Sequence, residues 1–430
     1  MLSGPRSGFG KGWGEGEVLV TLHFSPCTSF YEDMTGQIEC EDTRGRVEAP
    51  SPEVTMTVRL GRVFDIPVEI HASWIVIFLL LSYAVGMGYV AHLHPNLTTI
   101  QALGAGILGA LALFTCLFMH ELAHAVVARA FGLATRSITF FLLGGVARLK
   151  QEPGTWSQEL AIALAGPATS FALAVFFASV WLILPPGTVW ATVAFYLAFS
   201  NALLGAVNLL PGFPLDGGRV LRSVLWRALN NRLSATRVAT IAGRAVGLGV
   251  VGLGAAMVLL MGDPSGIWLI VIGWFVNGAA AGSWEQERVR SSLEGAGAAD
   301  LITGHPPALS PDRKLTDVFS PQAPENEEEA WPVTDQNGLI GILVPSGIAA
   351  VPTSERARKT VGEVMLPADE DHVVAAEDDA WDVIQRMSEL RDGEGVVVVQ
   401  GNTVSGTVTG RKLCQLLSAR LQAAASESHG

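Results

Sequence analysis

The segment FMHELAHAVVARAFG contains three residues whose types and spacing suit metal-assisted hydrolysis. His120 and His124 are four residues apart, so on a helix both imidazoles project from one face and can reach a single metal ion. Glu121 lies about 100° around that helix from His120, where a carboxylate can contact a metal-bound water without ligating the metal. Zinc lowers the pKa of such a water towards about 7, and a glutamate then accepts its proton. The motif therefore predicts zinc-dependent hydrolysis.

A third zinc ligand has to come from elsewhere in the chain, because a catalytic zinc usually takes three protein ligands and leaves one position for water. The best candidate is Asp216 in NLLPGFPLDGGRV. The Pro-Gly-Phe-Pro run at 211–214 breaks the preceding helix, and Gly217 and Gly218 are expected to let the backbone turn sharply. The alternative is that Asp216 is the N-cap of the helix GGRVLRSVLWRAL.

The elements that carry these residues are apolar enough to lie in a membrane. The chain is 49% hydrophobic and only 16% charged, which is unusual for a soluble protein. Six stretches lack Asp, Glu, Lys and Arg, and each is long enough to cross about 30 Å of hydrocarbon as a helix. They are 72–88, 101–119, 161–184, 187–210, 245–262 and 264–284. The pattern predicts a polytopic α-helical membrane protein rather than a large soluble protein with buried helices.

The motif at His120 therefore lies within a membrane helix, roughly 16 Å before Phe131 at 1.5 Å per residue. An acid at the centre of a bilayer costs about 2.5–3.5 kcal/mol on insertion scales, so ionisable groups there are usually functional. The alternative is a polar cluster between helices that holds no metal.

The positive charges of the short loops predict the orientation in the membrane. Lys and Arg are absent from the loops 92–100, 185–186 and 263. They lie instead before the first stretch, between the second and third, and between the fourth and fifth: Arg59, Arg62, Arg129, Arg136, Arg148, Lys150, Arg219, Arg222, Arg227, Arg232 and Arg237. The positive-inside rule then places these loops and the carboxyl-terminal half in the cytoplasm, in a multi-pass protein of the cell membrane. The formal net charge of −12 argues against nucleic acid as a partner.

The composition also predicts the domain boundaries. Residues 1–55 are polar and are expected to be a disordered extension, followed by a membrane domain over 56–284 and a linker over 285–297. Two similar blocks, 298–350 and 360–417, each indicate a small α/β unit, and 418–430 is expected to be a disordered tail. The four cysteines are scattered without the spacing of a zinc knuckle or a disulfide framework.

Taken together, HELAHA and NLLPGFPLDGG resemble the motifs of the site-2 protease family of intramembrane zinc metalloproteases. The similarity extends from about Met56 to Leu417 and is to the subgroup with two cytoplasmic CBS domains after six membrane helices. The resemblance implies one zinc ion per chain, with His120, His124 and Asp216 as ligands and Glu121 as general base. It also implies that Asn208 positions the substrate or stabilises the oxyanion. The alternative for Asn208 is a hydrogen bond between helices.

Three other segments match the family more loosely. FLLGGVARL at 141–149 resembles a strand that pairs with an unwound substrate segment, and the alternative is a re-entrant loop. After Gly166 and Pro167, the family's usual asparagine is replaced by Ser170, so this stretch is interpreted as helix packing. His71, close to Trp74, is interpreted as a structural residue at the interface rather than a ligand.

The tandem blocks depart from nucleotide-binding CBS domains, which typically end in Gly-x-x-Thr/Ser-x-x-Asp. The second block keeps Gly406 and Thr409 but has Lys412 at the Asp position. The first has Val344 and Gly347 at the two polar positions. We therefore expect the pair to form a homodimer contact and to position substrate or regulator rather than to sense adenine nucleotides. The alternative is that Lys412 contacts a phosphate group.

The resemblance implies an endopeptidase that cleaves transmembrane segments in regulated intramembrane proteolysis. Its substrate would be a single-pass membrane protein, such as a membrane-anchored regulator, that enters sideways from the bilayer and unwinds. A competing hypothesis is a non-hydrolytic metal-binding sensor or transporter regulated by the tandem domains. Glu121 separates the two, because a site that only binds metal has no use for a carboxylate that is not a ligand.

Overall fold

The computed structural model describes residues 57–318 apart from 142, 143 and 150, residues 330–417 with internal gaps, and three short strands before them. These strands are β1 (Leu22–Phe24), β2 (Thr28–Glu32) and β3 (Ile38–Cys40), and they pair as an antiparallel sheet. In these ranges the structure differs from the predicted disordered extension. The rest of 1–55 and the predicted tail at 418–430 lie outside the described residues.

Six helices of the described chain are long and apolar enough to cross a membrane, which confirms the predicted number. The first runs from Ser73 to Leu93 and comprises α1 (Ser73–Tyr83), a π-helical stretch (Ala84–Val90) and α2 (Ala91–Leu93). The remaining helices are α3 (Thr99–Ala130), α4 (Trp156–Ile183), α5 (Val189–Asn208), the shorter α6 (Asp216–Leu229), α7 (Arg232–Met261) and α8 (Gly266–Ser292).

Three spans extend beyond the charge-free stretches by eight residues or more. Helix α3 runs eleven residues past 119, α7 begins thirteen residues before 245, and α8 continues eight residues past 284. The added turns carry charges that pair within the protein, as Arg232 Nε does with Glu287 Oε1 at 3.1 Å. Stretches defined by the absence of Asp, Glu, Lys and Arg therefore stop before these helices end.

A four-stranded sheet lies beside α3, with the order β4 (Thr57–Val63), β5 (Ile66–His71), β6 (Thr135–Phe141) and β7 (Gly144–Leu149). Strands β5 and β6 are parallel, and the two outer pairs are antiparallel. Ile138 and Phe140 of β6 pack against Ala125 of α3 in one apolar cluster. The predicted strand within 141–149 is confirmed, and the re-entrant loop is wrong. Strand β7 is an edge of the sheet, so one side of its backbone has no strand partner within it.

The turn between α5 and α6 brings the start of α6 back onto the end of α5. A Cβ atom on Gly217 would lie 2.3 Å from Leu210 O, and one on Gly218 would lie 2.4 Å from the carbonyl carbon of Gly212. These two glycines belong to the first turn of α6 rather than to a sharp bend. They are needed because the helix backbone approaches the turn too closely for a side chain.

The carboxyl-terminal region contains two small α/β units, as predicted. The first CBS-like unit contains β8 (Trp331–Asp335), β9 (Gly338–Leu343) and α9 (Pro345–Ala349), and the sheet is completed by β10 (Leu366–Pro367). The second contains β11 (Val373–Ala375), α10 (Ala380–Met387), β12 (Gly395–Gln400) and β13 (Thr403–Thr409).

The two units exchange their first segments, so the predicted boundaries 298–350 and 360–417 need correction. Ala298 and Leu301 are buried in the core of the second unit, and Gly304 bridges to Thr407 of β13. Val361 is buried in the core of the first unit. Contiguous blocks of sequence cannot reveal this exchange, because each segment is apolar and would suit either core.

Helix α8 connects the membrane part directly to the second CBS-like unit. Its Val289 and the following Leu293 are 4% and 1% exposed and pack in the same core as Trp381. The predicted linker at 285–297 is therefore largely helix and core, not a flexible connection.

Candidate metal centre

Helices α3 and α6 bring the three predicted zinc ligands together. One ligand atom each from His120, His124 and Asp216 lies within 4.8 Å of the other two. Asp216 Oδ2 is 3.2 Å from His120 Nε2 and 3.3 Å from His124 Nε2. The two histidines are one helical turn apart on α3, and Asp216 is the first residue of α6. Residues separated by almost a hundred positions thus form one cluster.

Helix α4 orients both imidazoles through their other nitrogen. His124 Nδ1 donates to the carbonyl oxygen of Ile162 at 2.7 Å, which leaves Nε2 with a lone pair facing Asp216. His120 Nδ1 is 2.8 Å from the hydroxyl of Ser170. Such outer partners fix ring orientation in metal sites. Ser170 is therefore a residue of the site, which corrects its interpretation as helix packing.

Gly166 lies between these two partners and faces the imidazoles. A Cβ atom at this position would lie 2.2 Å from His124 Nε2 and 2.6 Å from His120 Nε2. Ile162, Gly166 and Ser170 are spaced four residues apart, so they share one face of α4. That spacing is a signal in the sequence from which the contact with the metal centre could have been expected.

Asp216 does not cap its helix with its side chain. The N-cap of α6 is Leu215, which makes no side-chain capping bond, so the capping alternative for Asp216 is wrong. Burial alone would raise the pKa of Asp216, but its contacts with His120 and His124 outweigh burial and hold that pKa well below its usual range. The group is therefore a carboxylate at neutral pH.

The donor set fits a catalytic zinc ion. Two imidazole nitrogens and one carboxylate oxygen are ligands that zinc takes in hydrolases, and three protein ligands leave one coordination position open. The buried histidines, 2% and 7% exposed, converge on the carboxylate from one helix face. This arrangement differs from a scattered polar cluster between helices, because each imidazole has its Nδ1 engaged and its Nε2 directed to the same point.

The metal centre opens into a cavity of about 200 Å³ that contains the other predicted site residues. Glu121 and Asn208, both half-buried, line it together with Arg219 of α6. Strand β7 passes beside Glu121, since a Cβ atom on Gly145 would be 2.9 Å from Glu121 Cγ. The cavity thus combines a general-base candidate, an amide, a guanidinium and the edge strand around the three ligands.

Other predicted positions lie away from this cavity. His71 is exposed and its Nδ1 is 2.8 Å from Ser73 Oγ, as expected for a structural residue. Thr409 and Gly406 lie on β13 of the second CBS-like unit. Lys412 lies outside the described residues.

A cluster of charged side chains joins α4, α6, α7, α8 and the segment before α4. Its six members, here called the ion-pair cluster, are Glu152, Glu159, Arg222, Arg232, Glu287 and Arg290. Arg222 Nε donates to Glu159 Oε1 at 2.7 Å, and Arg222 Nη1 donates to Glu287 Oε2 at 3.2 Å. The sequence indicates Arg222 and Arg232 only as topology signals and does not single out Arg290, so this cluster is not among the predictions. The acidic residues next to the charge-free stretches were the feature of the sequence from which this cluster could have been expected.

Comparisons with known proteins match the part of the chain that contains this site. A family model described as peptidase family M50 matches residues 108–188 and 184–251. Over 372 residues the chain is 34% identical to "Putative zinc metalloprotease Rip3" of Mycobacterium tuberculosis, covering 84% of this chain and 92% of that protein.

Two solved structures are similar to separate parts of the chain. The site-2 protease from Methanocaldococcus jannaschii has 28% sequence identity and a TM-score of 0.38, covering 53% of this chain and 95% of that one. The CBS domain of a bacterial CNNM/CorC family Mg²⁺ transporter, in complex with ATP, has 18% identity and a TM-score of 0.26, covering 31% of this chain and 96% of that one.

Proposed function

The chain belongs to peptidase family M50, the zinc-dependent site-2 protease family, and from this premise we propose how its residues carry out intramembrane proteolysis. It is a multi-pass membrane zinc metalloprotease with membrane-protein substrates. His120, His124 and Asp216 hold one zinc ion, and Glu121 is the general base. The substrate is a single-pass membrane-anchored protein cut within its transmembrane segment.

The observation that supports this proposal most is the convergence of the three ligand atoms within 4.8 Å, next to a cavity that Glu121 lines. A site that only bound metal would have no use for Glu121, which does not belong to the ligand cluster. The competing sensor or transporter function is not favoured by any feature of the described residues.

Each protein group then has a separate task. When bound, zinc supplies a Lewis acid that lowers the pKa of water and polarises the scissile carbonyl. Glu121 accepts the proton of the attacking water and delivers it to the leaving amine nitrogen. Asn208 donates its side-chain N–H to the carbonyl oxygen as negative charge develops there. Ser170 and the Ile162 carbonyl keep the imidazoles in place throughout.

The substrate has to be extended before it is cut, because the peptide bonds of a helix are shielded. Strand β7 offers main-chain donors and acceptors on its edge, and it passes directly beside Glu121. We propose that an unwound substrate segment adds to the sheet along β7 by strand pairing. Its main-chain hydrogen bonds would then hold one peptide bond in the cavity independently of side-chain identity.

The two CBS-like units are proposed to lie in the cytoplasm. Support comes from the basic loops, which the positive-inside rule assigns to that side, and from contacts of these loops with the carboxyl-terminal half. Arg136 of β6 is 3.6 Å from Asp371, and Arg290 Nη1 is 2.9 Å from Glu152 Oε2. We further propose that the units mediate a homodimer.

The proposal is tested by incubating purified protein in detergent with a tagged single-pass substrate and measuring zinc content in parallel. Wild type should cleave, and Glu121→Gln should bind as much zinc but lose cleavage, because the general base is gone while the ligands remain. Asp216→Ala should lose zinc, whereas the control Asp263→Ala, in the loop between α7 and α8, should keep it. Equal cleavage by Glu121→Gln and wild type would reject the mechanism.

A further inference from the structure

Arg219 lies beside the proposed reaction centre but has no role in the mechanism derived so far. It is on α6, three residues after Asp216, so the two side chains share one face of that helix. Long helical side chains lean back towards the amino terminus, which directs Arg219 over the turn that carries Asp216. The residue lines the same cavity as Glu121 and Asn208, and its side chain is 29% exposed.

The nearby ion-pair cluster is electrically balanced without Arg219. Its three carboxylates, Glu152, Glu159 and Glu287, are matched by three guanidinium groups, so its formal charge is −3 + 3 = 0. Glu159 already forms an ion pair with Arg222 through two of its nitrogens, one of them Nε at 2.7 Å.

Arg219 is therefore not required to neutralise a buried acid. Its Nε is 3.9 Å from Glu159 Oε1, beyond hydrogen-bonding distance and at the limit of an ion pair. The contact is close enough to orient the side chain, yet it leaves the N–H donors of the guanidinium unused by Glu159. Among the described residues of the cavity, Arg219 is the permanent cation.

Peptide hydrolysis creates negative charge at a defined atom. As the water oxygen bonds to the carbonyl carbon, the π electron pair moves onto the carbonyl oxygen, and the water proton passes to Glu121. When the C–N bond breaks, that electron pair returns to re-form the carbonyl and the amine nitrogen takes the proton from Glu121. A donor that meets this oxygen only when it is charged lowers the barrier, and a cation in a poorly solvated cavity does so strongly.

We infer that Arg219 is a catalytic residue whose guanidinium donates to the carbonyl oxygen of the scissile peptide bond as that oxygen becomes negative. Asn208 supplies a neutral donor in the same cavity, and Arg219 supplies the positive charge. This inference rests on the proposed function, because it needs a peptide bond to be hydrolysed in that cavity.

The test compares Arg219→Gln, Arg219→Ala and the control Arg227→Gln in the detergent assay. Arg227 is on the same helix and lies over the ring of Trp156 at 4.6 Å, outside the cavity. Arg219→Gln should lower kcat by roughly 100-fold with little change in KM, as expected for losing one donor to the developing charge. Arg227→Gln should stay within about twofold of wild type. Guanidinium ion at millimolar concentration should restore part of the activity of Arg219→Ala.

Readouts other than activity separate this role from a structural one. Zinc content, thermal midpoint and the substrate Kd measured in the Glu121→Gln background should not change with Arg219→Gln. The inference is overturned if Arg219→Gln retains wild-type kcat, if the loss lies wholly in KM, or if zinc and thermal stability fall and guanidinium restores nothing. A wild-type protein that cleaves no substrate would instead overturn the proposed function, and this inference with it.

Discussion

The orientation of two histidine rings depends on one helix that contributes no ligand. Ser170 and the Ile162 carbonyl on α4 hold the Nδ1 atoms of His120 and His124, and Gly166 gives the rings room. Because each ring can rotate only by breaking such a bond, the Nε2 atoms stay directed at Asp216. The affinity for zinc should therefore depend on α4 as well as on the ligands.

Ser170→Ala tests this dependence. Removing the hydroxyl leaves His120 Nδ1 without its 2.8 Å partner, so we expect zinc affinity to fall about 10- to 100-fold, measured by competition with a chelator. Ser179→Ala is the matched control, because Ser179 is on the same helix but bonds only the Val175 carbonyl among the described residues. Equal affinities for wild type and Ser170→Ala would show that the hydroxyl does not support the ring.

At the scale of residues, the proposed ligands were easier to predict than the residues that orient them. The sequence points to His120, Glu121, His124 and Asp216 because zinc hydrolysis requires particular residue types at particular spacings. Ser170 differs from the asparagine that the family resemblance leads one to expect, and its contact with His120 depends instead on helix periodicity. Arg219 has no signal in the sequence beyond being a basic residue between two apolar stretches.

At the scale of elements, α6 links the metal centre to the ion-pair cluster. Asp216 begins the helix, and Arg222, six residues later, is 7% exposed and contacts both Glu159 of α4 and Glu287 of α8. Arg222 thus joins α6 to α4 and α8, and each buried charge has a partner without which its burial would be costly. The position of Asp216 relative to α3 depends on this joint.

Arg222→Met should destabilise the membrane part, because it leaves Glu159 and Glu287 buried with less compensation. Breaking a buried ion pair by removing one partner costs about 3–5 kcal/mol. The thermal midpoint in detergent should fall much more for Arg222→Met than for Arg227→Met, whose exposed side chain loses only a cation–π contact with Trp156, worth about 0.5–1 kcal/mol. Identical midpoints for both variants would mean that the cluster adds nothing to stability.

Strand β7 offers a test of substrate pairing. Neighbouring residues in an antiparallel strand direct their N–H groups to opposite sides, so of Val146 and Ala147 one faces β6 and the other faces the free edge. Proline at the residue whose N–H faces β6 should lower the thermal midpoint, because a hydrogen bond within the sheet is lost. Proline at the residue whose N–H faces the free edge should keep the midpoint but lower cleavage about tenfold, the effect of losing one main-chain hydrogen bond to the substrate. Full cleavage by the variant that keeps its midpoint would argue against strand pairing.

Helix existence was predictable from apolar length, whereas helix ends were not. Charged helix ends are stabilised by partners far away in the sequence, as Glu287 is by Arg222 and Arg232. The same reason explains why the supposed linker at 285–297 is largely helical. That β7 is a strand could be expected only from the family resemblance, since its sequence suits either a strand or a loop.

At the scale of the whole molecule, α8 and the exchanged segments join the membrane part to the CBS-like units. Val289 and Leu293 continue from α8 into the core of the second unit, and Asp371 of that unit is 3.6 Å from Arg136 of the membrane-side sheet. These contacts place the carboxyl-terminal units against α8 and against the sheet whose edge strand β7 borders the metal centre. The exchange of segments could not be predicted, because it follows from which core each apolar segment reaches in three dimensions.

Asp382, in the first turn of α10, makes the second unit sensitive to pH. Burial and the neighbouring Asp379 raise its pKa to about 6 from an ordinary 3.8. Because the folded state holds this proton more tightly than the unfolded state, stability should fall as pH rises from about 4 to about 6 and stay lower above that.

Asp382→Asn should therefore slow hydrogen exchange of α10 relative to wild type at pH 7.5 and make little difference near pH 4. The exposed Asp312 provides the control, since Asp312→Asn should leave the exchange of α10 unchanged at both pH values. A difference between Asp382→Asn and wild type that is equally large at pH 4 would contradict an effect of ionisation.

Glu121 and the three-ligand site are proposed to hydrolyse a peptide bond inside the membrane. Cleavage in water enriched in oxygen-18, followed by mass spectrometry of the fragments, tests this proposal. We expect one heavy oxygen in the new terminal carboxylate, at a bond within the apolar segment of the substrate, and no such product with Glu121→Gln. A labelled cut outside that segment, or equal labelling with Glu121→Gln, would contradict it.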